Sequence, residues 1–149
     1  MFAFLFKKGK PDKNIAKSTS VSENSDGGLG MRGEKLAAGF LKKAGYKILA
    51  KNYRCPVGEA DIIALDKTSQ AVVFVEVKTR SSDKYVNPEA AVNADKMRRL
   101  RKIARYYISR HDTAELEIRF DVIAVLIRPK SPGAKPAKPE INHIPNAFQ

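Results

Sequence analysis

The stretch "VVFVEVKTR" at residues 72–80 decides how this chain is read. Its opening is an apolar run of the kind that lies buried in a sheet, yet Glu76 and Lys78 interrupt it two positions apart. Successive side chains in a strand point to opposite faces, so a carboxylate and an ammonium two apart share one face. Burying charge is costly unless the charge is paired or used. Glu76 and Lys78 are therefore either a structural ion pair or part of a reaction site.

The segment before it bears on the choice. "ADIIALD" (60–66) reads as another strand, and the turn-like "KTSQ" between the two makes a hairpin. A turn centred between Thr68 and Ser69 sets Leu65 opposite Val72, Ile63 opposite Phe74, Asp61 opposite Glu76 and Glu59 opposite Lys78. The hairpin is then apolar near its turn and charged at its far end. Like charges facing each other in a sheet are destabilising unless something positive lies between them. Mg²⁺ or Mn²⁺ does this most directly, since each takes hard oxygen ligands and needs only one or two protein carboxylates. A metal there would generate hydroxide and polarise a phosphoryl group, with Lys78 orienting water or steadying phosphate. The alternative is that Glu59, Asp61, Glu76 and Lys78 are ion pairs at a strand end near solvent. A third carboxylate, Glu34, joins the site only if its helix packs over the same end of the hairpin; otherwise it is a favourable charge in that helix's first turn.

Working outward, residues 1–29 are rich in Ser, Asn, Gly and Lys and read as a flexible tail. Within them "MFAFLFKK" loses its apolar character after Phe6, too early for a signal peptide or a membrane span. We read the protein as cytoplasmic, without stable membrane insertion. Regular structure is expected from near Gly30. Leu36, Ala37, Phe40, Leu41 and Ala44 recur at helical spacing, and Gly45 suits the C′ position. "YKILAKNYR" (46–54) is a first strand, residues 71–79 the third, and residues 115–127 the fourth. Between the last two lie a long connection, with a helical turn expected after Pro88, and a helix over residues 94–110 with Asn93 as its N-cap. A helix between two strands suggests a parallel crossover. Residues 129–149 form a basic proline-rich tail, semi-rigid over "PKSPGAKPAKP", whose last residues regain apolar character and can dock on the domain. The domain at residues 30–128 is α/β, of order αβββαβ, with a mixed sheet flanked by helices.

Composition narrows the partner. The chain has 28 basic and 16 acidic residues among 149, a formal charge of +12, which favours a polyanion such as nucleic acid. The single cysteine, Cys55, excludes an intrachain disulfide, and one Cys with two His argues against structural zinc. On the second helix Lys96, Arg98, Arg99, Arg101, Lys102, Arg105 and Arg110 surround an apolar stripe of Met97, Leu100, Ile103, Ala104 and Tyr107. Such a face fits phosphate-backbone contact without sequence preference, and Arg80 at the end of the third strand joins it. An anionic membrane surface or a plain solvated face would accept the same pattern. Tyr85 is the better stacking candidate of the loop, His111 is placed to cap the helix, and His143 is read as at most a phosphate contact.

"RGEKLAAGFLKKAGYKILAKNYR", "GEADIIAL", "VVFVEVKTR" and "HIPNAF" together resemble the small bacterial YraN-like family, the uncharacterised family UPF0102. That family is similar to Holliday junction resolvases of the restriction-endonuclease-like PD-(D/E)xK superfamily. The resemblance implies the αβββαβ core. It also implies that Asp61 and Glu76 bind metal, that Lys78 completes the E-x-K element, and that Glu34 is the helix glutamate of resolvase-like members. The expectation is a Mg²⁺- or Mn²⁺-dependent endonuclease acting on DNA, with branched or junction DNA as substrate and a homodimer as the suited assembly. A nucleic-acid-binding protein that does not cleave, or a structural or interaction protein, is the alternative.

Overall fold

The computed structural model describes residues 26–82, 92–113 and 115–149. The tail at 1–25, Tyr85 and the turn expected after Pro88 lie outside the described residues. Helix α1 (Asp26–Lys43) leads into strands β1 (Lys47–Cys55), β2 (Gly58–Asp66) and β3 (Ala71–Arg80). Helix α2 (Ala94–Arg110), β4 (Glu117–Leu126) and β5 (Glu140–Phe148) follow. These strands form one sheet in chain order, β1-β2-β3-β4-β5. The β3–β4 pair, joined through α2, is parallel; the β1–β2, β2–β3 and β4–β5 pairs are antiparallel. The mixed α/β architecture is the expected one, extended by a fifth strand.

The sheet is covered on both faces, which explains why β3 is an unbroken apolar run rather than an alternating one. Val73 and Val75 pack with Ile62, Ala64, Ile123 and Val125 against Ala37, Ala38 and Leu41 of α1. Val72 and Phe74 pack with Ile63 and Phe120 against Leu100, Ile103, Ala104 and Tyr107 of α2. Fully burying a side chain such as Phe74 contributes about 1.5–3 kcal/mol.

Helix ends follow local chemistry. Gly45, at φ 92°, closes α1: its N–H reaches Lys42 O at 3.1 Å, and Tyr46 N reaches Leu41 O at 3.0 Å. This is the paired bonding of a Schellman motif, which needs a residue of positive φ at that place. Asn93 caps α2 by accepting from Lys96 N at 2.9 Å, and His111 is the C-cap residue. The start of α1 differs from expectation. The helix opens at Asp26, before Gly30, because Leu29 packs on the α1-side core and that burial overrides the low helix propensity of Gly27, Gly28 and Gly30. Glu34 is consequently inside the helix, beyond the first turn where its charge would meet the dipole.

The α1–β3 approach is unusually close. A Cβ on Gly33 would lie 1.9 Å from Thr79 Oγ1, so glycine is what lets the helix sit against the end of β3. At the other end of the chain, "PKSPGAKPAKP" is not an extended spacer throughout. Ala134 N donates to Ser131 O at 3.1 Å around Pro132 and Gly133, the latter at φ 77°. Pro followed by a positive-φ Gly is the signature of a type II turn, and it sends the chain back as β5.

Candidate functional site

The β2–β3 ladder runs Asp66↔Ala71, Leu65↔Val72, Ala64↔Val73, Ile63↔Phe74 and Ile62↔Val75. Its register is the one read from the turn, and one step further it sets Asp61 against Glu76. There the backbone ladder gives way: Val77 N donates to the Asp61 carboxylate, at 2.8 Å to Oδ2. Across from Asp61 on β1, Asn52 adopts φ 49° between Lys51 and Tyr53, which pair with Ile62 and Ala60. Asp61 therefore sits where two ladders are interrupted, fixed toward β3.

Glu76 is 3% exposed. Its Oε1 lies 2.9 Å from Lys78 Nζ, and its Oε2 lies 3.0 Å from Lys96 Nζ of α2. Both contacts are ionic, and Oε2 is buried and accepts no hydrogen bond. Asp61 feels the consequence of this crowding. Burial, followed by the negative charge of Glu76, pushes its carboxyl up from 3.8 to about 7. The bond from Val77 and the Lys96 ammonium oppose that rise, while Glu34 adds to it.

The remaining expected residues divide. Glu34, half-buried on α1, reaches the site through its field; among the described residues no three His, Cys, Asp or Glu side chains form a metal-holding group. Glu59 does not meet Lys78, since the β2–β3 ladder ends before it; it instead pairs with Arg54 across β1, at 3.3 Å in the open. Arg80 is exposed at the end of β3. On α2, Arg98 bonds Asp95, and Arg101 bonds the Gln149 carbonyl beside Phe148. Arg99, Lys102 and Arg105 are exposed, and the stem of Arg99 lies against Gly58. Lys96, grouped by sequence with the phosphate contacts, is turned into the carboxylate site.

A second ionic cluster, which the sequence reading missed, shows how this fold treats a buried charge that is purely structural. Arg119 uses all five N–H groups: Nε and Nη2 on Asp121 at 2.9 and 3.0 Å, Nη2 on Tyr46 Oη at 2.8 Å, and Nη1 on Asp66 and Ser69 Oγ at 2.8 and 3.2 Å. Asp121, fully buried, also accepts from His143 at 2.8 Å and from Asn146 N at 2.9 Å. Since the carboxylate only accepts, His143 carries its proton on Nε2. Burial alone would raise Asp121, but the bonds from His143, Arg119 and Asn146 hold it below the usual range. Asp66 is likewise brought to about 2: burial opposes this, and the bonds from Arg119, Ser69 and Thr68 prevail. His143 is thus a strand-to-strand tie. The signal for it was present in Arg119 and Asp121, an i,i+2 charge pair like Glu76 and Lys78.

The two clusters differ in kind. One has its buried donors and acceptors used; the other keeps two carboxylates in mutual repulsion and a buried oxygen without a hydrogen bond. The donor chemistry of the second fits a hard divalent cation: two carboxylates suffice for Mg²⁺, with waters and a substrate phosphate supplying the rest. Asp61 and Glu76 would hold it.

Comparison with known proteins places residues 33–125 under the model of "Uncharacterised protein family UPF0102". A UPF0102 protein of Caldanaerobacter subterraneus is 45% identical over 120 residues, covering 80% of this chain and 93% of that relative. One from Thermodesulfovibrio yellowstonii is 48% identical over 120 residues, covering 80% and 95%. One from Mycobacterium bovis is 42% identical over 116 residues, covering 78% and 88%. No helix among the described residues is long and apolar enough to cross a membrane.

Proposed function

The chain belongs to the UPF0102 family, and we propose that it is a divalent-metal-dependent endonuclease acting on DNA phosphodiester bonds, with branched DNA as the favoured substrate. The observation that carries this reading is the pair Asp61 and Glu76, whose crowding still raises Asp61 despite the two lysines on Glu76, in a fold whose Arg119 cluster satisfies its buried charges completely. A buried carboxylate pair crowded in this way persists in a fold when something from outside the chain relieves it. Mg²⁺ or Mn²⁺ bound there would supply a water of lowered pKa and polarise the scissile phosphate. The chain's own part is positional. Val77 N holds Asp61 toward β3, Lys78 presents an ammonium to a phosphate oxygen or attacking water, and Glu34 adds negative potential. Exposed Arg99, Lys102 and Arg105, with Arg80, supply backbone attraction that reads no sequence. A homodimer suits a junction, because two symmetry-related phosphates call for two sites.

One observation favours a second reading. Both Glu76 oxygens already face ammonium groups, as they would in a nucleic-acid-binding protein that does not cleave. Cleavage separates the two. Purified protein is incubated with labelled four-way junction, flap, single-stranded and duplex DNA in Mg²⁺, Mn²⁺ or EDTA, beside Glu76→Ala prepared identically. Metal-dependent cuts that vanish with the variant support the enzyme. Binding by both proteins without cutting by either removes it.

A further inference from the structure

Lys96 occupies an electrostatically awkward place. It lies in the first turn of α2, three residues after the cap that fixes its backbone, where the helix dipole disfavours a cation. Its side chain is nevertheless three-quarters withdrawn from solvent, with the ammonium set on the buried Glu76 oxygen that accepts no hydrogen bond. Lys78 already neutralises the other oxygen from within β3. With Asp61 and Glu76 ionised, these two carboxylates and the two ammonium groups cancel, Glu34 acting only through its more distant field. A dication added to that set would leave it with two excess positive charges in a poorly solvated space. One lysine must therefore give way, and Lys96 is the one whose helix end repels it, whereas Lys78 belongs to the strand that carries Glu76.

Resting on the metal reading of this site, we infer that Lys96 is a positioning residue that stands in for the cation at Glu76 Oε2 and must be displaced for metal to load. It sets the affinity of the site. It also keeps Glu76 in place when no metal is present, which a phosphate-contacting lysine would not do.

The test is Mn²⁺ binding, followed by calorimetry and by the electron paramagnetic resonance of free Mn²⁺ at pH 8. Wild type, Lys96→Met, Lys96→Arg and the double variant Asp61→Asn/Glu76→Gln are compared. Lys96→Met should bind Mn²⁺ more tightly than wild type, by about tenfold, since a competing charge a few ångströms away is removed. Lys96→Arg restores the charge and should return affinity toward wild type. A variant that merely folds poorly would bind more weakly, so the sign separates competition from structural damage. Affinity of Lys96→Met equal to or weaker than wild type, where wild type binds better than the double variant, overturns the role of Lys96 and leaves the metal reading standing. Wild type binding no better than the double variant overturns the metal reading and the role of Lys96 with it.

Discussion

Replacing Asp61 with Asn should make the protein more stable, and only in one range of pH. The folded carboxyl lies near 7 against an ordinary 3.8, first because it is buried and then because Glu76 repels it. A group whose folded pKa is raised favours the folded state while protonated. That contribution is complete below the unfolded value and is lost as pH rises through the folded one. At about 1.4 kcal/mol per pH unit, the interval from 3.8 to about 7 amounts to about 4 kcal/mol of burial and repulsion carried by ionised Asp61. The Asp61→Asn side chain keeps an oxygen for Val77 N, while burying its amide costs part of what is relieved. A net gain of about 2 kcal/mol at pH 8 is expected, or a melting point higher by about 4–8 °C. Urea unfolding by circular dichroism in EDTA, repeated from about pH 4 to about pH 8.5, reads it directly across the window that linkage defines. The gap between variant and wild type should close toward the acid end. A variant less stable than wild type at pH 8, or a gap that ignores pH, would show that Asp61 is not held against its preference.

Other substitutions address the rest of the structure. Asp121→Asn sets an amide N–H₂ against donors of Arg119 and His143, and should cost about 3 kcal/mol, the low end for breaking a buried pair because Asp66 still holds Arg119. Because the folded Asp121 pKa is depressed, its contribution is present above the ordinary carboxylate value and is lost as pH falls through the folded one; unfolding titrations of the variant should show a shallower acid limb. Gly33→Ala gains helix propensity but overlaps Thr79, so thermal melts should show a net loss of about 1–3 kcal/mol, partly recovered when Thr79→Ala is added. Replacing Arg99, Lys102 and Arg105 together by Ala should weaken duplex DNA binding at low salt and reduce the salt slope by about one for each phosphate no longer neutralised. Unchanged binding isotherms across salt concentrations would move the nucleic-acid face elsewhere.

What could be read in the sequence was what local periodicity dictates. The apolar run of β3 and the short turn at Thr68 and Ser69 were enough for the β2–β3 register, and so for the meeting of Asp61 with Glu76. Asn93 and Gly45 marked helix ends because cap chemistry is local. The strand at Glu140–Phe148 was not legible as one: Asn142, His143, Pro145 and Asn146 break its alternation, and the strand exists through pairing with β4 and the bonds of His143 and Asn146 to Asp121. The contact of Lys96 with Glu76 was not legible for a similar reason. A helical wheel shows which face a lysine leaves from, while the length of its side chain decides where the charge arrives.

Because the sheet order repeats the chain order, every strand's neighbours in space are its neighbours in sequence. Apart from the crossover through α2, no pairing among the described strands waits on a distant segment, and domains with mostly local pairings fold quickly for their size. The β2–β3 hairpin should therefore bring Asp61 and Glu76 together before α2 arrives with Lys96, so the carboxylates meet at a time when solvent still screens them. The last pairing in chain order, β5 on β4, is also the one that covers Asp121. Refolding followed by the protection of β5 amides should lag behind that of β2 and β3, making burial of the Arg119 cluster the late step of folding.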